Sequence, residues 1–125
     1  MIFKICGLKE KENVLCCEAN NADFFGLIFY EKSPRNIDYD KAKELVDFSK
    51  SLKIKPVGVF VDHEINDLKN IITYLDLRYI QLHGNENQSY IDEIKNEFNP
   101  IIIKNVSIKN KSDLHKINDF KNIDY

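Results

Sequence analysis

The chain has 125 residues with a formal net charge of −2 at pH 7, 43% hydrophobic and 30% charged, a size and balance suited to one domain with its own core. Charges this evenly mixed offer no basic surface for nucleic acid or an anionic membrane, and no apolar run approaches a membrane span or a signal-peptide core. Such a chain is expected in the cytoplasm.

The first element is the apolar run Ile2-Phe3-Lys4-Ile5-Cys6-Gly7, a short strand ending in a cysteine. Cys6 reads two ways: a small core residue, or, beside cationic groups and an opening, a nucleophile or base. A less well patterned helix follows, over about residues 9–20, with Cys16 and Cys17 as packing residues. Three cysteines, two of them adjacent, argue against a disulfide framework. With no C-x-x-C, and with His63, His83 and His115 far apart, no metal site is expected.

Further strands begin near Phe24, Pro56, Arg78 and Pro100, with a sixth starting at Asn122. Helical stripes lie between them: Ala42, Leu45, Val46 and Ser49; Ile65, Leu68, Ile71, Ile72 and Leu75; Tyr90, Ile91, Ile94 and Phe98; Leu114, Ile117 and Phe120. The strand starts keep one constant spacing, broken only by a longer interval between the second and third, and a fixed period of this kind marks repeated units. Strands alternating with helices at so short a spacing mean βα units and a parallel sheet. The regular period favours a closed (β/α)8, or TIM, barrel over an open flavodoxin-like sheet. Eight such units need about two hundred residues, so the expected fold is α/β, parallel units of a TIM barrel truncated after about five. Residues 1–125 then form a partial barrel domain, with strands 1–5 and the start of strand 6. Its open sheet edges give it a route to self-association.

The one long interval places about ten extra residues after the second strand, from Tyr30 to Tyr39. That loop sits at the C-terminal ends of the strands, where barrel enzymes carry out their chemistry. Strand tips on this face collect Cys6, Ser33-Pro34-Arg35, Asp62, Gln81, His83 and Lys104 around an apolar mouth, as a small-molecule site requires. Each has a structural alternative. His83 can cap a strand end, Asp62 can cap the next helix, and Lys104 can be an interior lysine satisfied by a carboxylate. Lysine outnumbers arginine sixteen to two. Arg35 is therefore the best candidate for holding an anionic group, because a guanidinium binds a planar carboxylate in bidentate fashion. Gly26 and Gly58, inside strands, are expected to make room for bulky neighbours in the barrel interior rather than to touch a ligand.

Four segments, in order, resemble the phosphoribosylanthranilate isomerase family of tryptophan biosynthesis: Lys4-Ile5-Cys6-Gly7; Gly26-Leu27-Ile28-Phe29-Tyr30 running into Lys32-Ser33-Pro34-Arg35; Val57-Gly58-Val59-Phe60-Val61; and Gln81-Leu82-His83-Gly84. Ile102-Ile103-Lys104 is similar to the family's fifth strand. The resemblance implies an isomerase catalysing an Amadori rearrangement of a phosphosugar substrate, N-(5-phosphoribosyl)anthranilate. It makes Cys6 the general base and Arg35 the ligand of the anthranilate carboxylate, with Gln81 and His83 as further substrate-binding residues. No cofactor is implied, since an imine formed from the substrate is the electron sink.

The resemblance also implies that the general acid, an aspartate at the tip of strand six, and the phosphate-binding loops lie beyond Tyr125. The chain is accordingly expected to be the N-terminal portion of the enzyme and inactive alone. Lys9 stands where the family usually has threonine, and Asn105 where alanine is common. Two other readings remain: a non-catalytic half-barrel that binds or assembles, and another phosphosugar-barrel enzyme.

Overall fold

The structure, a computed structural model, describes residues 1–125. Its elements alternate: β1 (Lys4–Cys6), α1 (Lys11–Ala19), β2 (Phe24–Phe29), α2 (Tyr39–Ser49), β3 (Lys55–Phe60), α3 (Ile65–Leu75), β4 (Tyr79–Leu82), α4 (Gln88–Phe98) and β5 (Ile101–Lys104), then a 3₁₀ helix (Lys111–Asp119). The five strands form one parallel sheet in chain order, β1-β2-β3-β4-β5. That is the order successive βα units give, each helix carrying the chain back to begin the neighbouring parallel strand. No helix is long and apolar enough to cross a membrane.

Local chemistry sets the helix ends. The side chains of Asp38, Glu64 and Asn87 accept from the backbone N–H of Lys41, Asn66 and Tyr90 at 2.8, 2.7 and 3.0 Å, capping α2, α3 and α4. Asp76 and Asn99, at φ 55° and 45°, end α3 and α4 in the left-handed conformation that short polar side chains tolerate. Glu64, not Asp62, is therefore the cap of α3.

Alternation along the strands separates two layers. Phe25, Leu27 and Phe29 of β2, with Phe60, Ile80, Leu82 and Ile102, pack outward against the helices. They meet the stripes of α2, α3 and α4 in one core containing Leu45, Leu68, Ile72, Leu75, Ile91 and Ile94. The opposite face carries Lys4, Cys6, Ile28, Val59 and Gln81, and the register aligns Ile28, Val59, Gln81 and Ile103 in one row. Gly58 belongs to the outer layer. A Cβ there would lie 2.7 Å from both Leu77 and Phe60, so the glycine makes room for helix-side packing and not for the interior.

Two expected elements differ. Leu114 and Ile117 stand 52% and 56% exposed on a 3₁₀ helix, so their stripe packs on nothing, and only Phe120 reaches the core. Spacing of three suits a 3₁₀ turn, in which residues i and i+3 eclipse, better than the longer period of an α-helix. The segment from Asn122 is not a regular strand. It nonetheless lies along β5, with Asp124 and Tyr125 N–H donating to Ile102 O at 3.0 and 3.1 Å and Lys104 N–H to Tyr125 O at 2.9 Å.

Candidate functional site

Cys6 ends β1 beside Gly26 of β2. A Cβ on Gly26 would approach Cys6 Sγ to 2.7 Å, so the missing side chain is what gives the sulphur its space. Gly7 then turns the chain at φ +85°, a conformation open to glycine at little cost. Its bare Cα lies under the stem of Arg35, whose Cδ would be 2.6 Å from a Cβ.

The long loop after β2 is folded back on its own strand. Tyr30 N–H donates to Asn36 Oδ1 at 2.8 Å, Ile37 N–H to Ile28 O at 3.0 Å, and Ser33 Oγ accepts from Arg35 N–H at 3.2 Å. These bonds turn Arg35 toward β1, where its Nη1 donates to Cys6 O at 3.0 Å. Lys9 reinforces the same approach: its ammonium donates to Pro34 O at 3.3 Å and ties the loop after β1 to the loop after β2. The lysine at this position is thus an inter-loop tie.

From β4, Gln81 is half-buried on the inner face, and the exposed His83 follows at the strand tip with its N–H bonded to Phe60 O at 2.8 Å. Cys6, Ser33, Arg35, Gln81 and His83 line one open cleft of about 400 Å³, floored by Ile28, Val59 and Val61. Two other depressions on the molecule, of about 450 and 690 Å³, contain neither Cys6 nor Arg35. The cleft at Cys6 therefore brings together a thiol, a guanidinium, an amide and an imidazole over an apolar floor.

Asp62 and Lys104 fall outside this group. Asp62 Oδ1 accepts from Asn85 N–H at 2.5 Å. Lys104 alternates to the outer layer with Ile102 and forms an ion pair with Glu86 at 2.9 Å, both side chains nearly inaccessible at 3% and 2%. It is the interior lysine satisfied by a carboxylate. Glu86 has no role in the sequence reading, yet its carboxylate also accepts from the N–H of Asp62 and of Gly84 at 3.0 Å each. Lys104 in turn donates to Gly84 O at 2.7 Å. Gly84 is thus held at both its N–H and its carbonyl, which fixes the turn that presents His83. Its partner could be recognised only once β4 and β5 were known to be neighbours.

Cys17 is half-buried against the core, and burial, followed by the neighbouring Cys16, pushes its thiol up. Cys16 is exposed and accepts a contact from Asn20, so only one of the two is a packing residue.

Five parallel strands joined by four α-helices, with polar side chains gathered at the strand C-termini, define part of a TIM-type (β/α)8 barrel whose candidate site lies on the face such barrels use for catalysis. The family model for N-(5'-phosphoribosyl)anthranilate (PRA) isomerase matches residues 3–124, and the chain belongs to that family. It is 38% identical over 118 residues to the N-(5'-phosphoribosyl)anthranilate isomerase of Thermoanaerobacter sp. (strain X514), covering 94% of this chain and 56% of the relative. It is 40% identical over 120 residues to that of Caldanaerobacter subterraneus subsp. tengcongensis, with the same coverage. The chain therefore spans a little over half the length of these curated relatives.

Among solved structures, phosphoribosyl anthranilate isomerase from Thermotoga maritima superposes with a TM-score of 0.85 at 30% identity, covering 100% of this chain and 64% of that one. A phosphoribosyl anthranilate isomerase in complex with reduced 1-(o-carboxyphenylamino)-1-deoxyribulose 5-phosphate also gives 0.85 at 30% identity, covering 94% and 59%.

Proposed function

We propose that residues 1–125 are a partial TIM-barrel domain, strands 1–5 and the start of strand 6, of a cytoplasmic isomerase that converts N-(5-phosphoribosyl)anthranilate to 1-(2-carboxyphenylamino)-1-deoxyribulose 5-phosphate. The observation that carries this reading is the convergence of Cys6 and Arg35, from separate βα units, on one cleft that Gln81 and His83 also line. Family membership supplies the substrate class.

In this mechanism an acid protonates the ribose ring oxygen, which becomes a hydroxyl as the C1–O bond breaks, and the lone pair of the anthranilate N–H forms a protonated imine (iminium) with C1. Cys6, as thiolate, takes the C2 proton. The C2–H electrons become the C1–C2 double bond and the imine electrons return to nitrogen, giving an enolamine. Its tautomerisation moves a proton from the C2 hydroxyl to C1 and yields the ketone, so atoms and electrons balance with no cofactor. Arg35 pairs with the anthranilate carboxylate, giving up its bond to the Cys6 carbonyl, while Gln81 and His83 hold the sugar hydroxyls. Fixing the carboxylate orients C2 toward the sulphur.

The test is to continue the chain with the remaining residues of the Thermoanaerobacter relative and follow consumption of N-(5-phosphoribosyl)anthranilate. Turnover by the continued chain, with little by residues 1–125 alone, is expected. A continued chain that folds cooperatively without converting this substrate would remove the proposed activity.

A second reading, a half-barrel that assembles through its open edges, is favoured by exposed apolar side chains at both ends of the sheet. Phe3 and Ile5 are 52% and 46% exposed at the β1 edge, and Leu114 and Ile117 stand beyond β5. Sedimentation of the isolated chain as a well-folded dimer would support it. A folded monomer would argue against it.

A further inference from the structure

Lys4 and Cys6 are two residues apart on β1, so their side chains leave the same face of the strand. Both occupy the space that Gly26 leaves empty: a Cβ built there would sit 2.7 Å from Cys6 Sγ and 3.1 Å from Lys4 Nζ. Ammonium and sulphur flank one point and stand within about 6 Å of each other, the range over which one charge governs another. None of the chain's ion pairs uses Lys4. Its charge is therefore free to act on the cleft it shares with Cys6. Arg35, the other permanent cation there, has its Nη1 on the Cys6 carbonyl.

We propose that Lys4 is a positioning residue for Cys6, its ammonium standing beside the ionised sulphur and holding that anion at the edge of an otherwise apolar cleft floor. An anion against Ile28, Val59 and Val61 loses hydration, and a nearby cation replaces part of it. Gly26 is what allows the pair to form, because any side chain there would separate them. The proposal rests on Cys6 being the base, but its test does not require turnover.

The 125-residue protein is alkylated at low ionic strength with iodoacetate and with iodoacetamide, and the rates at Cys6 and Cys16 are read separately by mass spectrometry. The two reagents differ in charge, so their rate ratio reports the local electric field, which a loss of packing alone would not change selectively. In Lys4→Met the ratio at Cys6 is expected to fall at least about threefold, the factor for unit charges about 6 Å apart in water. The ratio at Cys16 stays as in the parent, and Lys4→Arg retains the parent ratio at both.

An unchanged ratio at Cys6 in Lys4→Met overturns the proposal. If Lys4→Met does not fold, Lys4→Gln and a salt titration of the parent replace it. A parent ratio at Cys6 that does not respond to salt, or a salt response as large in Lys4→Gln as in the parent, equally overturns it, since Arg35 alone accounts only for what remains once Lys4 is gone. Failure of Cys6 as base would appear instead as retained turnover in Cys6→Ala, whatever the alkylation ratio.

Discussion

Cys6→Ala, in the chain continued by the remaining residues of its relative, is expected to lose about two to four orders of magnitude in turnover while folding as before. The fold should survive because the Cys6 side chain is half-buried at a strand tip and belongs to no part of the buried core. Truncating it removes one sulphur from a wall already opened by Gly26. Turnover should not survive, because no other side chain of the cleft offers a base in the same place: Arg35 and Lys4 are cations, and His83 approaches from β4. Comparing urea unfolding with steady-state turnover separates the two quantities. Near-normal turnover in a folded Cys6→Ala protein would remove Cys6 as the base.

Lys104→Met is expected to destabilise the fold by about 3–5 kcal/mol, the cost of leaving one member of a buried ion pair without its partner. Glu86 would remain inaccessible, with two backbone N–H groups facing its charge and no cation. Gly84 would also lose the hydrogen bond to its carbonyl. The double variant Lys104→Met/Glu86→Gln removes both charges and keeps an acceptor for the backbone, so it should recover much of the loss. Urea unfolding of the single and double variants measures this. A loss below about 1 kcal/mol, the value of an exposed pair, would mean that water reaches the two side chains and that the clamp on Gly84 is not structural.

The α/β class, the stripes of α2, α3 and α4 and all five strand positions were legible in the sequence. Periodicity reports burial of a face, and each of these elements buries one. Ile65, Leu68, Ile71, Ile72 and Leu75 could form such a stripe only as a helix, and α3 is where they lie. Legibility failed at Leu114 and Ile117, where apolar spacing exists without a surface to cover; the segment from Asn122 lies along β5 where a sixth strand would start, though its hydrogen bonds do not extend into a regular strand. Spacing alone cannot tell whether a partner surface is present.

The site divides along the same line. That Cys6, Arg35, Gln81 and His83 gather in one cleft was legible because they stand at strand tips or in the one long loop, positions that the regular strand period locates directly. Glu86 was not legible. It precedes α4 while Lys104 ends β5, and only the pairing of β4 with β5 brings the two together. Lys104 was misplaced in the ring of cleft residues because alternation on so short a strand has two phases, and packing of Ile102 against the helices selects the outward one for both.

By itself, then, the sequence determined the parallel βα architecture, the sheet end at which the polar strand-tip residues gather and the side chains available there, since all three follow from local periodicity and turn position. Only the tertiary structure decided that Gly26 opens a space shared by Lys4 and Cys6, that Arg35 crosses to the β1 tip, and that Glu86 and Lys104 clamp Gly84. These are contacts between residues distant in the chain. They depend on the register of neighbouring strands, where a shift of one residue turns every side chain to the opposite face.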